Sequence, residues 1–242
     1  MRSDNADVAG QGEATPLRPA APLQRVLLAC GAVGPPLFVL AFLVEGATRH
    51  AGYDPLRYPV SSLAIGPSGW TQTANFLVTG ALLLAFSFGL RPAVRRYGGG
   101  VWAPLLIGLV SIGLIGAGVF VTDPVNGYPE GTPMVPVKTM SGTLHDLFSA
   151  LVFLGLPVAC LVLAYRFWVS RHRAWAGYSA GTAVAFLGCF VLTSMGFARD
   201  PVFMPVGGLL QRLTLAIGWA WLTLLALYLL RRRPPAAPAS RP

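Results

Sequence analysis

Two ionisable residues, His145 and Asp146, stand in the stretch SGTLHDLFSALVFLGLPVAC, at the head of a long apolar run. Their types suit acid/base work, metal ligation or hydrogen bonding to a ligand, and ionisable groups in or beside hydrocarbon are costly enough to require a reason. Asp123, in FVTDPVNGYPEGTP, follows directly on another apolar run, and Arg212, in GGLLQRLTLAIGW, sits about one turn inside a third. An acid at a helix C-terminus meets the negative end of the macrodipole. A cationic partner would remedy this, and Arg212, which must itself pair or snorkel, is the leading candidate. The plainer role for Asp123 is to stop a helix with Pro124, which disfavours helical geometry at the residue before it. Asp146 is placed to cap or charge the first turn of its helix. Asp123, His145 and Asp146 are the candidate acids and bases.

Other polar residues form the candidate binding set. In YPVSSLAIGPSGW, Ser61 and Ser62 offer hydroxyls as nucleophiles or donors, although local capping or turn bonding is the commoner use of serine. No GxSxG elbow surrounds them. Thr71, Asn75 and Thr79 make a polar stripe at helical spacing, and Arg199, Asp200, Gln211 and Arg212 lie near the same boundary. Such groups at one depth form either a mutually satisfied network or a small polar pocket. No HExxH, HxxxH or paired-histidine spacing occurs, so no metal site is expected. Haem between helices needs histidines deep in spans; these are lacking, and no cofactor is expected. The middles of the apolar runs are uncharged, which argues against a pump.

The elements that must position these residues follow from composition. The chain is 54% hydrophobic and only 11% charged, too few charges to cover a water-facing globule of 242 residues. Six runs reach the roughly 20 apolar residues that a membrane helix needs: 26–44, 73–90, 101–121, 146–165, 175–198 and 209–230. The expected fold is an all-α, six-helix transmembrane bundle spanning residues 25–231, multi-pass in the cell membrane. A leader, 1–24, and a tail, 232–242, have too few apolar residues to pack and are expected to be disordered. The first run lacks a small-residue cleavage site and reads as an uncleaved span. Cys30, Cys160 and Cys189 lie within apolar runs and offer no disulfide framework. Gly177 and Gly181 have the spacing that permits close helix approach.

Charge then orients the bundle. The leader, the 91–100 and 166–174 loops and the tail hold thirteen of the eighteen basic residues; the opposite side holds Arg49, Arg57, Lys138, Arg199 and Arg212. That excess predicts both termini in the cytoplasm. The net charge of +9 is spread over short loops with no basic face, so nucleic acid is not an expected partner. Outside the leader, the six acids all fall on the opposite, outer side, as do His50 and His145. Long connections at 45–72 and 122–145 lie there too, and long loops are where function tends to concentrate.

The six-span pattern, with VSSL and a following tryptophan before the second run, TDP after the third, a histidine heading the fourth and GLLQR opening the sixth, resembles a bacterial and archaeal membrane family, domain-of-unknown-function family 998. The resemblance covers about 25–230 and implies six helices and membrane residence, but brings no reaction and no catalytic residues. Three readings compete. The leading one is a membrane protein whose outward-facing polar pocket binds a small polar or lipid-headgroup ligand. The second is an intramembrane enzyme acting on a lipid or isoprenoid, with Asp123, His145 or Asp146 as acid/base and Arg199 or Arg212 holding an anionic headgroup. The third is a scaffold whose polar cluster is purely structural. Membrane lipid is the expected surrounding partner; oligomeric state is not legible.

Overall fold

Each of the six apolar runs is a helix in the computed structural model, which describes residues 22–49, 52–98 and 100–231. They are α1 (Pro22–Thr48), α2 (Trp70–Val94), α3 (Trp102–Val119), α4 (Met140–Val169), α5 (Arg173–Phe197) and α6 (Gly207–Arg231). All six are long and apolar enough to cross a membrane. Large apolar side chains such as Leu40, Phe88, Leu105, Leu154, Val184 and Leu224 are exposed on the outer faces of the helices. Water would not tolerate that belt, whereas lipid does. α1 begins at Pro22, within the segment expected to be leader. Residues 1–21 and 232–242, assigned above to the leader and the tail, and His50, lie outside the described residues.

Each helix packs on its neighbours in sequence, and α6 closes against α1, so the bundle is a ring. Helices meet closely where a residue lacks a side chain. Gly113 and Gly116 of α3 receive Phe148 of α4, and a methyl group at Gly116 would overlap the Phe148 ring. Gly218 of α6 likewise accommodates Leu156 and Phe186. In lipid, such close packing replaces the hydrophobic effect as the force between helices. Gly177 and Gly181 do not serve this purpose: a Cβ at either would meet no atom within 4 Å, because both face outward from the ring.

The two ends of the ring differ. At the end where α1 begins and α6 finishes, called the near end here, Tyr97, Phe167, His172, Trp175 and Tyr228 pack their rings into an aromatic plug. Phe38, Phe86, Phe186, Trp219 and Trp221 fill the middle and are almost wholly buried. At the opposite, far end, the long α1–α2 and α3–α4 connections fold back over the ring. The VSSL stretch forms a 3-10 turn, Val60–Ala64, rather than a further span.

Candidate functional site

Arg212 explains how the first connection is held down. Its guanidinium is buried and donates to the carbonyls of Pro55 (2.6 Å), Tyr58 (3.1 Å) and Gly208 (3.0 Å), and to the Tyr53 hydroxyl (2.6 Å). The Tyr53 hydroxyl in turn donates to the Pro59 carbonyl. Beside it, the amide oxygen of Gln211 accepts from the Val60 backbone at 2.7 Å. Just past the end of α1, Arg49 pairs with Glu45 and donates to the carbonyls of Leu63 and Ile65. Three side chains thus clasp one loop, whose residues Pro59, Val60 and Ser61 roof a cavity. Burial pushes the Tyr53 phenol above its ordinary pKa, an effect partly offset by the adjacent Arg212 charge.

Asp123 and Arg212 do not meet. The Asp123 carboxylate is buried and accepts from the backbone N–H of Thr139 (3.0 Å) and from its hydroxyl (2.6 Å). Thr139 is the N-cap of α4, and its hydroxyl oxygen accepts from Gly142 N–H at 3.0 Å. Asp123 therefore serves the positive end of α4 instead of burdening the negative end of α3, which has already stopped at Val119. Asp146 is not a first-turn residue, because α4 starts six residues earlier at Met140. It makes an exposed ion pair with Lys138 at the rim.

His145 occupies a different position. It is 3% exposed, and its Nδ1 lies 2.9 Å from the Ala117 carbonyl and 2.8 Å from that of Phe120. Both partners can only accept, so Nδ1 carries a proton, and in the neutral ring Nε2 keeps a lone pair. Nδ1–H satisfies carbonyls at the end of α3 that have no helical partner. Nε2 has no hydrogen-bond partner among the described residues, and His145 lines the roofed cavity. The cavity is about 330 Å³ and takes residues from all six helices. Around it stand Ser61, Ser149, Thr193 and Gln211, with Phe38, Phe76, Leu114, Phe153, Phe190 and Leu215 forming its apolar walls. The buried Thr193 hydroxyl has no partner.

The sequence candidates divide accordingly. His145, Asp146, Ser61 and Gln211 line the cavity; Asp123, Asn75, Ser62, Arg199 and Arg212 do not. Asn75 joins α2 to α1 through the Phe38 carbonyl and to Gln72. Arg199 is exposed in a left-handed turn after α5 (φ 71°). The Ser62 hydroxyl is buried without a partner, so the capping role expected of it is not filled. Thr193 was not singled out from sequence, since one threonine within an apolar helix carries no signal. Among the described residues no three His, Cys, Asp or Glu side chains gather to hold a metal.

A family model described as "Protein of unknown function (DUF998)" matches residues 32–228, from within α1 to the last turn of α6. No curated protein and no solved structure matches the chain.

Proposed function

The chain belongs to the DUF998 family and is an integral membrane protein with six membrane-crossing helices, and from that premise we propose that it is a ligand-binding protein of the cell membrane. Its far end faces outward, and the roofed cavity takes a small polar or lipid-headgroup ligand. The excess of basic residues on the near-end segments supports this orientation. The single observation that carries the reading is the His145 imidazole: its Nδ1 is held by two carbonyls, which leaves Nε2 unpartnered on a ring that lines a mostly apolar cavity. A concave apolar site with a few convergent polar groups is the usual form of a small-molecule site.

The acid/base enzyme reading has less support. Its anion clamp, Arg212, is engaged by loop carbonyls, and its acid, Asp123, is engaged by Thr139. The scaffold reading accounts for those two residues but gives no role to the cavity or to Nε2 of His145.

His145→Asn separates the roles, because the asparagine amide can replace the Nδ1–H donor but not the Nε2 acceptor. Wild-type protein and this variant are purified from membranes in mild detergent and their retained small molecules and lipids compared by mass spectrometry. The proposal expects a species retained by wild type and depleted from the variant at a similar melting temperature. An identical retained set in the two proteins would count against it.

A further inference from the structure

The cavity wall is not equally closed around the ring. Phe38, Phe76, Leu114, Ala117, Gln211 and Leu215, from α1, α2, α3 and α6, are all buried. The contributions of α4 and α5 are different. On α4 the buried His145 and Val152 line the cavity together with Asp146, Ser149, Ala150 and Phe153, these four at i, i+3, i+4 and i+7; Asp146 is exposed and the other three of the stripe are half-buried. On α5 the same spacing recurs in Phe190, Thr193, Ser194 and Phe197, with Ser194 exposed. Two helical stripes facing each other across one seam, both reaching the outer surface, make that seam the gap in the wall. Phe153 and Phe190 stack at 4.7 Å and close the seam towards the middle of the bundle. Above the seam, the roof is clasped by Gln211 and Arg212. The opening therefore runs sideways along this seam and is bordered at its far end by the half-buried Val125 and Pro136 and the exposed Lys138 of the α3–α4 connection.

The lining also restricts the chemistry. Among the described residues the one Lys or Arg that lines the cavity, Lys138, is at the rim and already paired with Asp146. An anionic headgroup inside would have no free counter-charge, and a buried unpaired charge is strongly disfavoured. A hydroxyl suits the site, since it can donate to His145 Nε2 without bringing a charge into the cavity. The volume, about 330 Å³, lies at the small end of ligand cavities and suits one chain rather than two.

We infer that the ligand is a neutral, hydroxyl-headed lipid with a single chain, of the long-chain alcohol or monoacylglycerol class, admitted from the bilayer through the α4–α5 seam. This rests on the ligand-binding reading of the same cavity. The hydroxyl head sits among His145, Thr193 and Gln211, and the chain runs past Phe153 and Phe190 into the seam.

The test uses full-length protein in phosphatidylcholine nanodiscs, photolabelled by a monoacylglycerol with a diazirine on its chain and read by peptide mass spectrometry. Labelling of α4 and α5 peptides is expected, competed by unlabelled monooleoylglycerol and not by free glycerol or by phosphatidylglycerol. Ala150→Trp and Ser194→Trp narrow the seam from its two sides, the second at an exposed position, where folding is least disturbed. Each is expected to lower labelling by about tenfold or more by blocking the seam, and His145→Asn to lower it by about two- to tenfold through loss of one hydrogen bond. If glycerol competes as well as the lipid, the ligand is a soluble polyol and the inference fails. If phosphatidylglycerol competes equally, the neutral-head assignment fails. If His145→Asn abolishes labelling while both tryptophan variants label normally, the cavity reading survives and lateral admission is overturned. If none of the three variants lowers labelling, both fail.

Discussion

Asp123 and Thr139 are bound to each other twice, the carboxylate accepting from both the backbone N–H and the hydroxyl of the residue that caps α4. The pair joins the end of the α3 segment to the start of the next helix and fixes the position of His145, six residues along α4. Gly142 lies under the same carboxylate, so closely that a Cβ there would overlap it.

Asp123→Ala is expected to cost about 1.5–3 kcal/mol, the range for hydrogen bonds to a charged group. Gly142→Ala is expected to cost about 1–3 kcal/mol by overpacking against Asp123. Because the first substitution removes the group with which the second collides, the double variant is expected to lose less than the sum, by about 1 kcal/mol or more. Reversible unfolding in mixed micelles measures all three. Strict additivity would mean that the two residues are independent.

Arg212 holds the cavity roof, and lysine cannot replace a guanidinium that bonds to several acceptors at once. Both Arg212→Gln and Arg212→Lys are expected to lower the melting temperature, the former by the equivalent of about 3 kcal/mol or more, since each charged hydrogen bond contributes about 1.5–3. Hydrogen exchange in 53–65 is expected to accelerate in both. Unchanged exchange would show that the loop holds itself down without Arg212.

The burial-raised phenol of Tyr53 adds a pH dependence. The folded protein binds this proton more tightly than the unfolded chain does. Its contribution is therefore complete below the ordinary tyrosine pKa of about 10 and is lost as pH rises beyond that value. Tyr128, also raised by burial, acts in the same direction. Melting temperature is expected to fall above about pH 10, and less steeply in Tyr53→Phe, whose stability at neutral pH is lower because Arg212 loses an acceptor. An equal alkaline slope in the variant would rule out Tyr53 as a source.

Orientation is testable in intact cells. A cysteine replacing Glu130, exposed in the α3–α4 connection, is expected to react with a membrane-impermeant maleimide added outside. Labelling only after the cells are broken would invert the proposed topology and turn the cavity towards the cytoplasm.

Much of the architecture was legible in the sequence because lipid imposes a length and a composition on each helix. All six apolar runs are helices, each extended at one or both ends except the third, which is trimmed. The extensions have local causes: α4 begins at Met140 because Thr139, outside the apolar run, supplies its cap. The partners of the charged residues were not legible. Asp123 and Arg212 are opposite in charge and close to the same boundary, yet each is satisfied by a loop folded over the ring. Backbone carbonyls and an N-cap sixteen residues away leave no trace in composition or helical spacing. His145 stood out as an ionisable group beside hydrocarbon, whereas Thr193, its neighbour in the cavity wall, became visible only once α5 was placed against α4.

The most direct measurement is a cryo-EM map of the protein in nanodiscs containing monooleoylglycerol, at a resolution that separates side chains. The account predicts non-protein density that touches Nε2 of His145 and continues as a single chain over the stacked Phe153 and Phe190 rings and out through the α4–α5 seam. A cavity holding only ordered water, with α4 and α5 sealed against each other at Ala150 and Ser194, would contradict it.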